Sequence, residues 1–131
     1  MRVALAGEGA IARKHVAALG RIDGVEVVSV SGGDPAATEA FAHEFGIGHH
    51  TVDLAEVLAR DDVDAGVLAT PTPIHAAQAI QVMEAGKHVL IEIPMADSLA
   101  DSEEVVAVRE RTGVTAMVCH TRRFNPSHQW I

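Results

Sequence analysis

The sequence predicts an α/β fold built on a doubly wound parallel sheet, and three observations carry that expectation. Short apolar runs alternate with amphipathic stretches along the 131 residues. Those apolar runs lack a polar face, as strands do when helices cover them on both sides. The first of them, Val3–Ala6, leads straight into Gly7-Glu8-Gly9-Ala10-Ile11-Ala12, a glycine turn that opens a helix.

Taken in order, Val3–Ala6 is expected as strand β1 and Ala10–Leu19 as helix α1, stopped by Gly20. Val25–Ser31, rich in valine, reads as β2. Asp34 and Pro35 look like an N-cap and first helical residue for α2, which runs to about Phe45. A short strand β3 is expected at His49–Thr51. Asp53 and Glu56 have capping-box spacing and should open α3, which runs through Ala59. Then come β4 at Ala65–Ala69, α4 at Pro73–Ala85 ended by Gly86, and β5 at His88–Glu92. Leu99–Thr112 forms α5, ended by Gly113, and Thr115–His120 forms β6. The natural strand order for this alternation is 3-2-1-4-5-6, with ligands outside the carboxyl ends of the strands near the β1/β4 switch point.

Composition narrows the function. The chain is 48% hydrophobic but only 3% aromatic, so Val, Ala, Leu and Ile must build the core. Ten basic residues against 18 acidic ones give a net charge of −8, which speaks against a nucleic-acid or anionic-membrane surface. No apolar run approaches the roughly 20 residues that span a bilayer. With a strand expected at the very start, no signal peptide is expected. The lone Cys119 excludes an internal disulfide and fits a reducing, cytoplasmic setting.

The candidate site residues all fall at strand ends. In the first turn Gly7 permits a sharp bend, Gly9 removes a Cβ where phosphates approach, and Ala12 lets the helix lie on the strand. The amides of Ala10 and Ile11 and the helix dipole then favour a diphosphate. Glu8 sets an acid beside those phosphates, with its side chain free to turn to solvent. At the end of β2, Ser31, Gly32 and Gly33 stand where an acid normally receives the adenosine ribose. With no acid there, the Ser31 hydroxyl and the Gly32 and Gly33 amides are expected to donate to a 2′-phosphate. The cofactor read from this is NADP, with NAD as the alternative. No Lys or Arg follows to clamp the phosphate, and Asp34 also serves as an ordinary N-cap.

After β4, Thr70, Pro71 and Thr72 form a rigid loop with hydroxyls toward the ribose and nicotinamide, Thr72 being equally suited to capping the next helix. His75 stands in that helix's first turn as a further cofactor contact. Glu92, ahead of Ile93 and Pro94, is placed to hold the nicotinamide ribose, and the Ile93–Pro94 bond suits a cis form. His120 is the candidate proton carrier, while Arg122 and Arg123 suit a carboxylated substrate. Their alternative is a polar strand end contacting a second domain. His43, His49 and His50 read as surface histidines and Cys119 as a buried thiol; no metal set is expected.

Together, Gly7-x-Gly9-x-x-Ala12, Ala69-Thr70-Pro71 with His75, Ala85-Gly86-Lys87-His88-Val89, Glu92-x-Pro94-Met95-Ala96 and Arg123-Phe124-Asn125-Pro126 resemble the Gfo/Idh/MocA oxidoreductases. The resemblance implies a Rossmann domain over residues 1–120 that binds NAD or NADP. Residues 121–131 would begin the connection to a C-terminal α/β substrate domain, which carries the homo-oligomer interface and is absent here. It implies a dehydrogenase passing hydride between nicotinamide and a hydroxyl or hemiacetal carbon of a small molecule, this chain alone being inactive. Ile93 departs from the family, which carries a Lys there. Glu-Ile-Pro with the run from His120 to Gln129 resembles a branch that prefers NADP and oxidises a carboxylated hemiacetal, a muconate semialdehyde. The alternatives are a sugar or polyol dehydrogenase of the same family and a stand-alone, non-catalytic NAD(P)-binding or redox-sensing module.

Overall fold

The computed structural model describes residues 1–129; Trp130 and Ile131, the last two residues of the expected connection, lie outside the described residues. Six strands form one parallel sheet in the order β3-β2-β1-β4-β5-β6, the doubly wound order expected. The strands are β1 (Arg2–Ala6), β2 (Glu26–Ser31), β3 (His50–Thr51), β4 (Ala65–Leu68), β5 (His88–Ile91) and β6 (Ala116–Val118). The helices are α1 (Ala10–Leu19), α2 (Pro35–Phe45), α3 (Leu54–Leu58), α4 (His75–Glu84) and α5 (Leu99–Thr112).

The central strands are buried on both faces: Val3 to Ala6 and all four residues of β4. Alternation along them feeds two large cores, while Ala4 joins a smaller cluster with Val28, Val57 and Val63. Val3, Leu5, Val30 and Val67 pack with Ala12 of α1 and Phe41 and Ala42 of α2. Ala6, Leu68, Val89 and Ile91 pack with Ala79, Val82 and Met83 of α4 and Val105 and Val108 of α5. Helices therefore cover both faces, and the chain crosses over between β3 and β4. That leaves the β1/β4 switch point open at the carboxyl edge.

Helix ends follow local chemistry. Asp34 accepts from the Ala37 amide at 2.8 Å, and Ser98 accepts from Asp101 at 3.1 Å. α1 ends at Leu19 with Gly20 as its cap, as expected; that cap is right-handed (φ −64°), and the left-handed residue that turns the chain toward β2 is Gly24 (φ +77°). Two expectations need correction. Asp53 caps α3 through the Ala55 amide, but Glu56 does not complete a capping box. Its carboxylate instead accepts from the Thr51 hydroxyl at 2.7 Å. Finally, α4 does not start at Pro73. Two prolines without N–H groups open it as a 3₁₀ turn, Thr72–Ile74, and the α-helix begins at His75.

Candidate cofactor-binding site

A cleft of about 560 Å³ lies at the carboxyl edge, where β1, β2 and β4 end. Gly7 to Ile11 form one wall and Ser31 to Gly33 another. Val52 and Leu54 add an apolar side, and Ala69, Thr70, Pro71, Ile74 and Gln78 close the far side. Gly7 is required by the backbone. Its φ is +105°, and a Cβ there would fall 2.5 Å from the Ala69 carbonyl oxygen. Its amide donates to the Ser31 carbonyl at 2.7 Å, which ties the turn to β2. A Cβ on Gly9 would meet nothing within 4 Å, so this position keeps its space open. No side chain caps α1 and no acid lies in its first turn. Its first amides are thus left for a ligand, and the donors present suit a dinucleotide diphosphate. Ala12 is fully buried beneath them, as a helix-to-strand spacer should be.

The end of β2 differs from expectation. The Gly33 amide donates to Glu8 Oε1 at 3.0 Å, and the Asp34 amide donates to the same oxygen at 3.2 Å. The Gly32 amide donates to the Thr51 carbonyl at 3.1 Å. The two amides read as donors to a 2′-phosphate are therefore already engaged, and Glu8 is not turned to solvent. Ser31 is 5% exposed and remains at the edge of the cleft.

Beyond β4, Thr70 lines the cleft and its hydroxyl donates to Gln78 Oε1 at 2.6 Å. Pro71 lines it as well, whereas Thr72 lies outside the lining and caps nothing. His75 also lies away from the cleft wall. It is 1% exposed, with Nδ1 2.8 Å from the Pro94 carbonyl and Nε2 2.7 Å from the Thr70 carbonyl. The ring thus braces the loops after β4 and β5 from beneath. The Ile93–Pro94 bond is cis.

Glu92 is held rather than free. Its Oε1 lies 2.7 Å from His15 Nε2, on the helix that starts at the glycine turn, and its Oε2 accepts from the Ile93 amide at 3.2 Å. The Cys119 sulfur completes a cluster whose donor atoms lie within 4.8 Å of one another. Two of its members are already bonded to each other, through His15 Nε2 and Glu92 Oε1. Burial pushes the Cys119 thiol up to about 11, and the Glu92 charge adds to the shift. The thiol is protonated at neutral pH.

His120, Arg122 and Arg123 are exposed. They meet Ile93 around a separate recess of about 410 Å³ beyond β5 and β6. Sequence reasoning missed His15, Gln78, Val52 and Leu54, all of which meet their partners only through the fold. It also misread His49, which is no plain surface group: Nδ1 lies 2.8 Å from the buried Ser29 hydroxyl and Nε2 3.4 Å from Glu56. Among the described residues no helix is long and apolar enough to cross a membrane.

Comparison with known proteins agrees with this geometry. The chain is 55% identical over its whole length to a 4-carboxy-2-hydroxymuconate-6-semialdehyde dehydrogenase of a Sphingobium species, covering 42% of that protein. Against a 1,5-anhydro-D-fructose reductase of Ensifer adhaerens it is 35% identical, with 98% of the chain matching 38% of the relative. The chain therefore spans about two-fifths of the length of these relatives. Among solved structures, the WlbA dehydrogenase of Chromobacterium violaceum, in complex with NADH and UDP-GlcNAcA, superposes with a TM-score of 0.93 at 35% identity. That match covers 98% of this chain and 37% of the other. A biliverdin reductase from Synechocystis, in complex with biliverdin and NADP+, superposes at 0.90 with 26% identity, over 98% of this chain and 40% of that one. Residues 1–120 match the family described as oxidoreductases with an NAD-binding Rossmann fold, and the chain belongs to that Gfo/Idh/MocA family.

Proposed function

We propose that residues 1–120 are the dinucleotide-binding domain of an NAD(P)-dependent dehydrogenase and that residues 121–131 begin the connection to a substrate domain. The observation that carries the reading is the glycine turn at the β1/β4 switch point. Gly7 is locked by its left-handed φ, Gly9 faces open space, and α1 starts uncapped. A bound nicotinamide dinucleotide would supply the hydride chemistry. Gly7, Gly9 and the amides of Ala10 and Ile11 would hold its diphosphate, with Val52 and Leu54 as an apolar wall. Thr70 and Pro71 would frame the nicotinamide side.

The reaction class is hydride transfer between nicotinamide and a hydroxyl or hemiacetal carbon. Ile93 cannot move a proton, so His120 is the proton carrier proposed from this chain. Arg122 and Arg123, around the same recess, would hold a carboxylate of the substrate. The 55% identical relative is named for a muconate semialdehyde, and a substrate of that carboxylated class is the one proposed. The whole protein would assemble as a homo-oligomer through its substrate domain. A second reading, a cofactor-binding module without catalysis, draws on the apolar Ile93 and on a Glu92 already committed to His15.

Calorimetric titration of the 131-residue chain with NADH and with NADPH tests the proposal. Saturable binding of at least one is expected, with no turnover of muconate semialdehyde or sugar substrates by this chain alone. If neither nucleotide binds, the cofactor reading falls.

A further inference from the structure

Resting on that cofactor reading, we infer that Glu8 is the acid of the adenosine ribose pocket, so that the chain selects NAD and turns away NADP. The usual place for this acid, the end of β2, holds Ser31, Gly32 and Gly33 instead. The carboxylate arrives from the glycine turn. Glu8 lines the cleft, and its Oε1 receives the Gly33 and Asp34 amides at 3.0 and 3.2 Å, which pins the group over the end of β2.

Gly32 is consistent with this placement. A Cβ on Gly32 would lie 2.7 Å from Glu8 Oε2, and 2.0 Å from the Thr38 hydroxyl oxygen. The β2 end thus has a glycine where the Thr38 hydroxyl and, next to it, the Glu8 carboxylate occupy the space. Both hydrogen bonds that Glu8 receives among the described residues fall on Oε1, so Oε2 is the oxygen left to receive ribose hydroxyls.

The surrounding charges act in the same direction. From Ser31 to Glu44 the chain has no Lys or Arg to clamp a phosphate. Arg13, on the neighbouring helix, is paired with Glu44. Asp34 adds a carboxylate at the same corner, committed to the α2 cap. A 2′-phosphate carries up to two negative charges and would meet Glu8 with no cation to offset it. On this inference the acid missing at Ser31–Gly33 comes from residue 8, and the expectation of NADP drawn from its absence gives way to NAD.

The experiment compares NADH with NADPH, and ADP with adenosine 2′,5′-bisphosphate, by calorimetry on the 131-residue chain and on Glu8→Gln. The glutamine keeps an oxygen for the Gly33 and Asp34 amides but removes the charge. The parent should bind NADH about tenfold or more tighter than NADPH, and the variant should narrow that ratio about fivefold or more. The ADP pair should show the same change, which places the effect at the adenosine end. Discrimination in the parent should also weaken as salt rises. Equal or tighter NADPH binding by the parent overturns the inference and leaves the cofactor reading standing. An unchanged ratio in Glu8→Gln reduces Glu8 to a tie between two loops and also overturns it. Absence of binding by either nucleotide overturns both. The parent's own ratio can still overturn the inference even if the variant does not fold.

Discussion

At the cleft where β1 and β2 end, Gly7 and Ser31 are buried and the Gly32, Gly33 and Asp34 amides each have a partner, whereas at the separate recess beyond β5 and β6 His120, Arg122 and Arg123 are exposed. The first region is finished by contacts among residues 7–51. The second presents exposed side chains around a recess of about 410 Å³. The difference follows from topology. Diphosphate recognition needs backbone amides and one tight turn, which a single strand–turn–helix unit provides. Recognition of a substrate needs side chains brought from several directions, and the relatives are more than twice as long as this chain.

The largest expected effect falls on the finished end. Gly7→Ala would place a Cβ 2.5 Å from the Ala69 oxygen in a backbone with φ +105°. Strain of this kind costs about 1–3 kcal/mol before any clash is relieved. Loss of about 3 kcal/mol in urea denaturation is expected, together with loss of nucleotide binding. A Gly7→Ala chain that melts like the parent would show that the turn is not held against β4 as described.

The next effect tests the bridge between the two ends. His15 stands on the helix that follows the glycine turn and holds Glu92 at the end of β5, with side-chain exposures of 15% and 19%. His15→Ala would leave a largely buried carboxylate without that partner, at a cost of about 1–3 kcal/mol. Glu92→Gln keeps an acceptor for the ring and should cost less than half as much. Equal losses in the two variants would mean that the charge of Glu92, rather than its hydrogen bond, holds the ends together.

That bridge also shows what a single sequence can reveal. The strand order was legible because each βα unit carries its own punctuation: Gly7 and Gly9 in the first turn, Asp34-Pro35 before α2, Gly113 after α5. Such signals act over a few residues, and the chain displays them directly. The pairs that shape the site span longer separations: Glu8 with Gly33, His15 with Glu92, His75 with Pro94. Lys87 is the same case. It lies within a motif that was recognised, yet its role is to bury an ammonium that donates to the Arg60 and Val63 carbonyls at 2.9 and 2.7 Å. A glutamate in a glycine turn looks unfavourable for phosphates until the fold places it over β2. His75 resembles a ligand until both its nitrogens are found on carbonyl groups. Residue type was the right guide to where chemistry gathers, and a poor guide to which group each side chain would meet.

A smaller effect concerns Cys119, beneath the bridge. Burial, followed by the Glu92 charge, raises its thiol from an ordinary 9.0 to about 11. Because the folded thiol holds its proton more tightly than the unfolded one, this group's contribution to stability is complete below about pH 9 and lost as pH rises toward 11. Alkylation by iodoacetamide at pH 8 should therefore be much slower for the folded chain than for the chain in urea. His15→Ala should speed it by loosening the cover. Equal rates in folded and unfolded chains would place the sulfur outside the protected cluster.

The smallest effect is expected where the comparison is most exposed to refutation. Arg122 and Arg123 lie on a 3₁₀ turn, Thr121–Phe124, and no ion pair to either is seen among the described residues. Replacing both by alanine should change stability by no more than about 0.5 kcal/mol, as at other exposed positions, and leave nucleotide affinity unaltered. Any loss would appear only as weaker capture of a carboxylated substrate by the whole protein. A fall in nucleotide affinity in the 131-residue chain would join the recess at Ile93 to the cleft at Gly7. The two ends would then be parts of one electrostatic site, because a guanidinium able to act on the cofactor from β6 must lie within reach of its phosphates.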